Sequence, residues 1–250
     1  MCYNIFGDFM NKYALITGGT RGLGKECVKL FAKNGYNVIF CYKKENDLAH
    51  LLVKDIENNF KVKCYAFKCD VALEEDVEKF YNAVLNITDN IDVLVNNAGI
   101  SSDKPIYEKS VSEFKNVINI NLVGTYTIVK YFKCLMKRGT IVNIASNDGL
   151  NTCYKDEMDY AASKAGVISL TKTMAKEFAP SIRVNAVAPG WMDTDMSKKD
   201  MIDQDIELEK ELILLKRFAE PIEVANVVYF LCSDLASYVN GTVITVDGGY

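Results

Sequence analysis

Short apolar runs alternate with longer amphipathic segments along most of this 250-residue chain. Several runs are apolar almost throughout and rich in β-branched residues, as strands are when helices cover both faces of a parallel sheet. The predicted strands are 13–17, 37–42, 62–67, 91–96, 140–145, 182–188 and 242–246, and the predicted helices are 23–34, 45–59, 74–88, 111–137, 158–179 and 221–233. This alternation predicts an α/β fold with a doubly wound, seven-stranded parallel sheet and helices on both faces.

One stretch departs from that alternation. Residues 191–217 are rich in charge, contain no strand pattern and lie between the sixth and seventh predicted strands. A segment after the carboxyl end of a strand is well placed to cover a ligand, so we interpret it as a substrate lid; the alternative is a solvated pair of surface helices. Because no linker or repeat divides the chain, we expect one domain over residues 10–250. Residues 1–9 would form an N-terminal extension that need not be ordered.

Composition narrows the class of protein. A net charge of -4 offers no general attraction to nucleic acid or to an anionic membrane, and no apolar run approaches the length of a membrane span. The first residues lack the features of a signal peptide, so we expect a cytoplasmic protein. The eight cysteines include no C-x-x-C pair, which favours reduced thiols over a zinc site. His50 is the only histidine, which argues against a Ser-His-Asp triad or a histidine-based metal site.

The segment ITGGTRGLGKE, at 16–26, joins the first predicted strand to the first predicted helix. It nearly matches the triphosphate-binding motif G-x-x-x-x-G-K-[ST], but Glu26 replaces the hydroxyl that would bind magnesium, and its carboxylate would repel phosphate. A dinucleotide needs a tight turn, for which Gly18 and Gly22 are suited, and a close contact between helix and strand, which Gly24 allows. The helix N-terminus would then face a pyrophosphate. The loop therefore favours a dinucleotide; a glycine-rich turn without a ligand is the remaining alternative.

The segment YAASK carries a candidate proton-transfer pair. Tyr160 and Lys164 are four residues apart and so share one face of a predicted helix. A free tyrosine, with a pKa of about 10, is a poor base at neutral pH, and a nearby ammonium group lowers that pKa. The segment YTIVK at 126–130 has the same spacing, but no serine at the end of a strand precedes it. Ser146 follows the fifth predicted strand, ahead of Tyr160, although a serine there can also simply cap a turn.

Several motifs together resemble the short-chain dehydrogenase/reductase family, over about residues 10–250. They are T-G-x-x-x-G-x-G from Thr17 to Gly24, NNAG at 96–99, NINLVG at 119–124, YAASK at 160–164, the P-G segment at 188–196 and VDGGY at 246–250. The resemblance implies a single-domain Rossmann fold. It also implies an NAD(P)-dependent oxidoreductase that transfers a hydride between nicotinamide and a carbonyl or secondary alcohol.

The resemblance implies four catalytic residues. Tyr160 would donate the proton, and Ser146 would orient the substrate's carbonyl oxygen. Lys164 would lower the pKa of the tyrosine and bind the nicotinamide ribose. Asn121, near the middle of a helix, would hold a water of the proton relay; Asn119 is a nearby alternative, but the following LVG favours Asn121.

The same resemblance implies the residues that hold the cofactor, most of them in loops at the ends of predicted strands. Asp70 would contact adenine, although it could equally cap a turn or a helix. The full set is Gly18, Thr20, Arg21, Gly22, Leu23, Gly24, Tyr42, Lys43, Asp70, Val71, Asn97, Ala98, Gly99, Tyr160, Lys164, Pro189, Gly190 and Thr194.

The end of the second predicted strand bears on the choice between NAD and NADP. NAD-selective members carry an acidic residue there, which binds the ribose hydroxyls. This chain has Tyr42 at that position, followed by Lys43 and Lys44, and Arg21 adds a cation in the glycine loop. Such cations suit a 2′-phosphate, so we expect NADP(H). NAD(H) is the alternative, if the lysines face water and Glu45 binds the ribose.

Segments 96–121 and 214–250 most resemble the 3-oxoacyl-acyl-carrier-protein reductases within the family. The alternatives are reductases of sugars, steroids or other small ketones, and a non-catalytic dinucleotide sensor. An acyl carrier protein would need basic docking residues such as Lys137 and Arg138, whereas the acidic stretch 200–211 would repel it. The resemblance also implies a homotetramer built through helices 111–137 and 158–179 and the last helix and strand.

Overall fold

Seven parallel strands form one sheet in the order β3-β2-β1-β4-β5-β6-β7. They are Tyr13–Thr17 (β1), Asn37–Tyr42 (β2), Cys64–Lys68 (β3), Val93–Asn96 (β4), Gly139–Ile144 (β5), Ile182–Pro189 (β6) and Val243–Val246 (β7). The structure is a computed structural model that describes residues 12–152, 154–198 and 202–250, so the extension expected at 1–9 lies outside the described residues. Each predicted strand is present, with its ends within two residues of those expected.

The helices of the described ranges connect these strands. They are Gly22–Lys33 (α1), Asn46–Asn59 (α2), Glu74–Leu85 (α3), Val111–Ile118 (α4), Gly124–Phe132 (α5), Met158–Glu177 (α6), Asp195–Lys198 (α7), Asp203–Leu212 (α8) and Pro221–Cys232 (α9). Both α7 and α8 fall in the segment 191–217, and α8 buries none of its residues. None of the helices in these ranges is long and apolar enough to cross a membrane.

The single helix predicted over 111–137 is divided in the structure. A π-helical turn, Asn119–Val123, separates α4 from α5. Two threonine hydroxyls bond back to carbonyls of this turn: Thr125 Oγ1 donates to the Asn121 carbonyl at 2.8 Å and Thr127 Oγ1 to the Val123 carbonyl at 2.9 Å. Such side-chain bonds compensate for the irregular helical hydrogen bonding. Apolar periodicity does not distinguish this turn from a regular helix.

Helices cover both faces of the sheet, as the apolar strand pattern predicts. On one face, Ile16 packs with Phe31 of α1 and Val228 of α9. On the other face, Leu15 packs with residues of α3 and α5, among them Phe132. Because successive strand residues point to opposite faces, β1 contributes side chains to both layers. The sheet is therefore the buried centre of a three-layer α/β structure.

The strand order reverses between β1 and β4, which are hydrogen-bonded neighbours. The chain leaves β1 towards β2 and β3 on one side of this point, and continues from β4 to β5, β6 and β7 on the other. In open parallel sheets, ligands bind outside the carboxyl ends of the strands at such a point. The glycine loop after β1 and the segments after β4, β5 and β6 all lie at this edge.

Candidate active site

The glycine loop forms a tight turn between β1 and α1. Gly18 and Gly22 have positive φ angles of 69° and 51°, which favour glycine. A Cβ on Gly24 would lie 2.1 Å from the Gly18 carbonyl oxygen, so this close approach requires a glycine. No side chain caps the start of α1, so amide groups of its first turn are free to meet an anion. These features fit a dinucleotide's pyrophosphate.

Residues after β4 are tied to the same loop. The Asn97 and Ala98 amides both donate to Thr17 Oγ1, at 2.9 and 3.0 Å, and the Asn97 side chain donates to the Thr17 and Gly18 carbonyls. Thr194, beyond β6, approaches the loop from another side: its methyl carbon would lie 3.5 Å from a Cβ on Gly22. Three chain segments therefore meet around the start of α1.

The basic residues after β2 have acidic neighbours. Lys43 pairs with Asp70 at 2.5 Å, and Arg21 lies 3.9 Å from Glu45. Asp70 also accepts a hydrogen bond from the Ala72 amide at 3.1 Å, so the alternative role in a turn is present in the structure. The Lys43 and Arg21 side chains remain about half exposed, at 49% and 58%. Both cations can therefore still meet a ligand.

Lys164 is buried next to Tyr160. Its Nζ donates to the Ile144 carbonyl at 2.8 Å and lies 5.5 Å from the centroid of the Tyr160 ring. Burial lowers the pKa of Lys164 to about 8, because the ammonium loses solvation that one carbonyl replaces only in part. The second copy of the spacing differs: Tyr126 is exposed, and Lys130 pairs with Glu74 at the surface.

The pKa of Tyr160 is raised, not lowered as the sequence suggested. Burial is the largest cause, and the nearby carboxylates of Glu157, Asp148 and Asp103 add to it, whereas a hydrogen bond with Ser146 acts in the opposite direction. The expectation neglected burial and these carboxylates, which outweigh any effect of Lys164. At neutral pH the phenol is therefore protonated and can donate a proton.

Asn121 points from the π-helical turn to the chain after β4. Its side chain accepts from the Ile100 amide and donates to the Ile100 carbonyl, both at 2.9 Å, and also donates to Ser163 Oγ at 3.0 Å. A Cβ on Gly99 would lie 3.3 Å from Asn121 Oδ1 and 3.6 Å from Lys164 Nζ. The asparagine therefore links the NNAG segment to the helix that carries Tyr160 and Lys164.

A cavity of about 490 Å³ joins the glycine loop to Ser146 and Tyr160. All of the expected site residues line it except Gly24, which lies behind the loop, and Asn121, which lies behind Ile100. The members lining it are Gly18, Thr20, Arg21, Gly22, Leu23, Tyr42, Lys43, Asp70, Val71, Asn97, Ala98, Gly99, Ser146, Tyr160, Lys164, Pro189, Gly190 and Thr194. The sequence motifs thus converge on one space.

Other lining residues were not among the expected site residues. Three are the carboxylates Asp103, Asp148 and Glu157, and three are the aromatic residues Tyr154, Trp191 and Tyr250. Burial, followed by repulsion from Asp103 and Asp148, raises the pKa of Glu157 to about 8. The sequence did offer signals for some of them: Trp191 and Tyr250 lie within the motif segments 188–196 and 246–250, and Glu157 lies shortly before Tyr160.

Comparison with known proteins agrees with this geometry. A family model described as "Enoyl-(Acyl carrier protein) reductase" matches residues 18–250. The 3-oxoacyl-[acyl-carrier-protein] reductase FabG of Aquifex aeolicus is 41% identical, covering 95% of this chain and 96% of that protein. The 3beta-hydroxysteroid dehydrogenase 1 of Eggerthella lenta is 36% identical over 98% of this chain and 95% of its own.

A solved structure supports the same assignment. A short-chain dehydrogenase from Burkholderia cenocepacia in complex with NADP has a TM-score of 0.90 and 30% identity, and the match covers 95% of this chain and 97% of that one. Both sequence and fold are therefore shared over nearly the whole length. The chain belongs to the short-chain dehydrogenase/reductase family and is an NAD(P)-dependent oxidoreductase.

Proposed function

We propose that this protein is an NADP(H)-dependent reductase of 3-oxoacyl thioesters. The observation that carries the proposal is the cavity in which Ser146, Tyr160 and Lys164 meet the glycine loop. The A. aeolicus relative is a 3-oxoacyl-[acyl-carrier-protein] reductase by name, and its similarity extends over nearly the full chain. The raised pKa of Tyr160 agrees with reduction, because a protonated phenol is the form that a proton donor needs.

In this proposal the cofactor lies along the cavity. Amide groups at the start of α1 would bind the pyrophosphate, Asp70 and Val71 would border the adenosine, and Pro189, Gly190 and Thr194 would border the nicotinamide end. When bound, the cofactor supplies the hydride for the carbonyl carbon. Lys164 would bind the nicotinamide ribose through its ammonium group.

The chain's own residues would move the proton. Ser146 would hydrogen-bond the carbonyl oxygen and orient it, and the Tyr160 hydroxyl would donate its proton to that oxygen as the alcohol forms. The Lys164 ammonium, 5.5 Å from the Tyr160 ring centroid, would stabilise the resulting phenolate. Asn121 would support the proton relay by holding the Ile100 backbone, which follows Gly99, the glycine that lies near Lys164 Nζ.

The preference for NADP(H) rests on cations near the adenosine end. Lys43 and Arg21 are half exposed beside the cavity, and Lys44 also lines it. A 2′-phosphate would compete with Asp70 and Glu45 for these cations, and its greater charge favours it. The B. cenocepacia structure, described as a complex with NADP, supports the proposal.

The acidic residues at the other end of the cavity favour an uncharged acyl group. Asp103 and Asp148 would repel a free 3-oxo carboxylate, whereas a thioester has no charge at this point. Glu157, whose pKa is raised to about 8, is protonated at neutral pH and adds no such repulsion. We therefore propose that the substrates are 3-oxoacyl thioesters, and that an acyl carrier protein carries the acyl group. A cyclic ketone is the second candidate substrate, because the E. lenta relative is a steroid dehydrogenase by name.

The test is an assay of NADPH and NADH oxidation with acetoacetyl thioesters, free acetoacetate, a 3-ketosteroid, a sugar and a diketone. We expect turnover of the thioester with NADPH, and much less with NADH or the free acid. Tyr160→Phe should lower turnover by about a thousandfold with nearly unchanged NADPH binding. The matched control is Tyr126→Phe in the second YxxxK segment, which should keep wild-type turnover.

Other outcomes would contradict parts of this proposal separately. A strong preference for NADH would overturn the cofactor assignment, and faster reduction of the steroid would replace the substrate class. Turnover of Tyr160→Phe at the wild-type rate would overturn the proposed site. An absence of turnover with every substrate tested would favour the alternative that the protein is a non-catalytic dinucleotide sensor.

A further inference from the structure

Three aromatic side chains that line the cavity share one carboxylate. Glu209 Oε2, in α8, accepts hydrogen bonds from the Tyr250 hydroxyl at 2.7 Å, the Trp191 Nε1 at 2.9 Å and the Tyr154 hydroxyl at 3.2 Å. Trp191 Nε1 also donates to the Tyr154 hydroxyl at 2.9 Å. The polar tip of each ring is therefore directed to Glu209, which leaves ring carbons to border the cavity. We call Tyr154, Trp191 and Tyr250 the aromatic wall.

The rings of the aromatic wall also contact one another. Tyr154 lies edge-on to Trp191, with centroids 5.6 Å apart, and is 6.3 Å from Tyr250. Trp191 stacks on Phe218 at 5.7 Å with an interplanar angle of 19°. Stacked and edge-to-face rings in such contacts hold each other in place. The wall is thus braced by ring contacts as well as by Glu209.

The wall connects four separate parts of the chain. Tyr154 follows β5, Trp191 follows β6, Tyr250 follows β7 and Glu209 lies on α8. The segment after α8 is tied to the segment after β7 by a hydrogen bond from the Leu215 amide to the Gly248 carbonyl at 3.1 Å. The Glu209 carboxylate therefore joins three side chains that line the cavity and come from the segments after β5, β6 and β7.

We propose that Glu209 is a positioning residue for the aromatic wall, and that the wall limits substrates to short 3-oxoacyl chains. The identity of the substrate rests on the function proposed above; the role of Glu209 rests on the contacts just described. Without the carboxylate, two hydroxyls and an indole N–H lose their common acceptor, and the indole keeps only its bond to the Tyr154 hydroxyl. The rings then lose their fixed orientation, and the cavity admits longer chains.

The first experiment compares acyl chain lengths. We expect wild-type enzyme to have a higher kcat/KM for acetoacetyl than for 3-oxododecanoyl thioester. Glu209→Ala and Trp191→Ala should shift the ratio towards the long chain by about tenfold or more, a range that a few methylenes in a pocket can produce. Glu209→Gln keeps one oxygen acceptor, so its chain-length ratio should fall between those of wild type and Glu209→Ala. Glu211→Ala, exposed on the same helix, is the matched control and should keep the wild-type ratio.

The second experiment does not depend on turnover. Trp191 is the chain's only tryptophan, so its fluorescence reports on the aromatic wall directly. Glu209→Ala should shift its emission to longer wavelength as the indole meets water, with no shift in Glu211→Ala. An unchanged emission and an unchanged chain-length ratio in an active Glu209→Ala enzyme would overturn the role of Glu209. A shift in emission in a protein that reduces no acyl thioester would support that role but overturn the proposed substrate.

Discussion

At the residue scale, burial decides the chemistry of the central pair. Lys164 is 4% exposed, and its Nζ has one hydrogen bond, to the Ile144 carbonyl. Removing an ammonium from water costs free energy unless charged partners replace the solvation. The pKa of Lys164, lowered to about 8, reports that cost, and the raised pKa of Tyr160 reports the same environment. The buried Lys164 ammonium therefore lowers the free energy of unfolding of the protein.

This cost predicts that Lys164→Met stabilises the fold while abolishing reduction. Below pH 8 both states carry the proton and the penalty is complete, so the variant's free energy of unfolding should be higher by on the order of 2 kcal/mol. Between pH 8 and the ordinary pKa of 10.5, the folded protein loses the proton before the unfolded chain does, so the difference should shrink. Urea unfolding at several pH values measures this.

The matched control is Lys172→Met, an exposed lysine on α6. We expect it to change the free energy of unfolding by less than about 0.5 kcal/mol at any of these pH values. A difference between wild type and Lys164→Met that stayed constant with pH would contradict the explanation by burial.

At the element scale, a buried ion pair fastens the chain after β4 to the start of α6. Lys109 Nζ contacts Asp159 Oδ1 at 2.5 Å and also donates to the Ser102 and Asp156 carbonyls. The two charged side chains are 6% and 0% exposed. Asp159 precedes Tyr160 and accepts a hydrogen bond from its amide at 2.9 Å. The pair therefore holds the first turn of the helix that carries the candidate proton donor.

We predict that Lys109→Met lowers the free energy of unfolding by about 3 kcal/mol, because Asp159 would be left charged and buried. Lys104→Met breaks the pair with Glu113, whose side chains are 44% and 38% exposed, and should cost less than about 1 kcal/mol. Denaturant unfolding of both variants makes the comparison. Equal losses would mean that the burial of the Lys109 pair has no energetic consequence.

At the scale of the whole molecule, apolar side chains remain exposed on the surface of α4, of the π-helical turn after it and of α9. They include Val111 at 70%, Val123 at 42% and Phe230 at 38% exposure. Apolar side chains exposed on helix surfaces favour association between copies of a chain. We therefore propose the homotetramer that the family resemblance implies.

If the protein is a homotetramer, light scattering should give a mass of about four chains in solution. Val111→Glu combined with Val123→Glu should reduce this mass, because charges placed in an apolar interface oppose association. Leu51→Glu on α2, another exposed apolar residue, is the control and should leave it unchanged. A monomeric wild-type protein would contradict the proposal.

From the residues alone one could predict the sheet, the glycine loop and the candidate set of Ser146, Tyr160 and Lys164. These depend on local rules: strand and helix periodicity, positive φ at glycine, and the four-residue spacing on a helix. Periodicity did not reveal the π-helical turn at Asn121, because its apolar pattern is that of a regular helix.

The environment of Tyr160 and the lining of the substrate end of the cavity depend on contacts between distant segments. Asp103 comes from the chain after β4, whereas Asp148 and Glu157 come from the connection between β5 and α6. Glu209 meets Tyr154, Trp191 and Tyr250 from other parts of the chain. Burial and through-space charge set a pKa, and neither is a property of neighbouring letters. That is why a lysine four residues from a tyrosine predicted a lowered pKa, and the folded protein raises it.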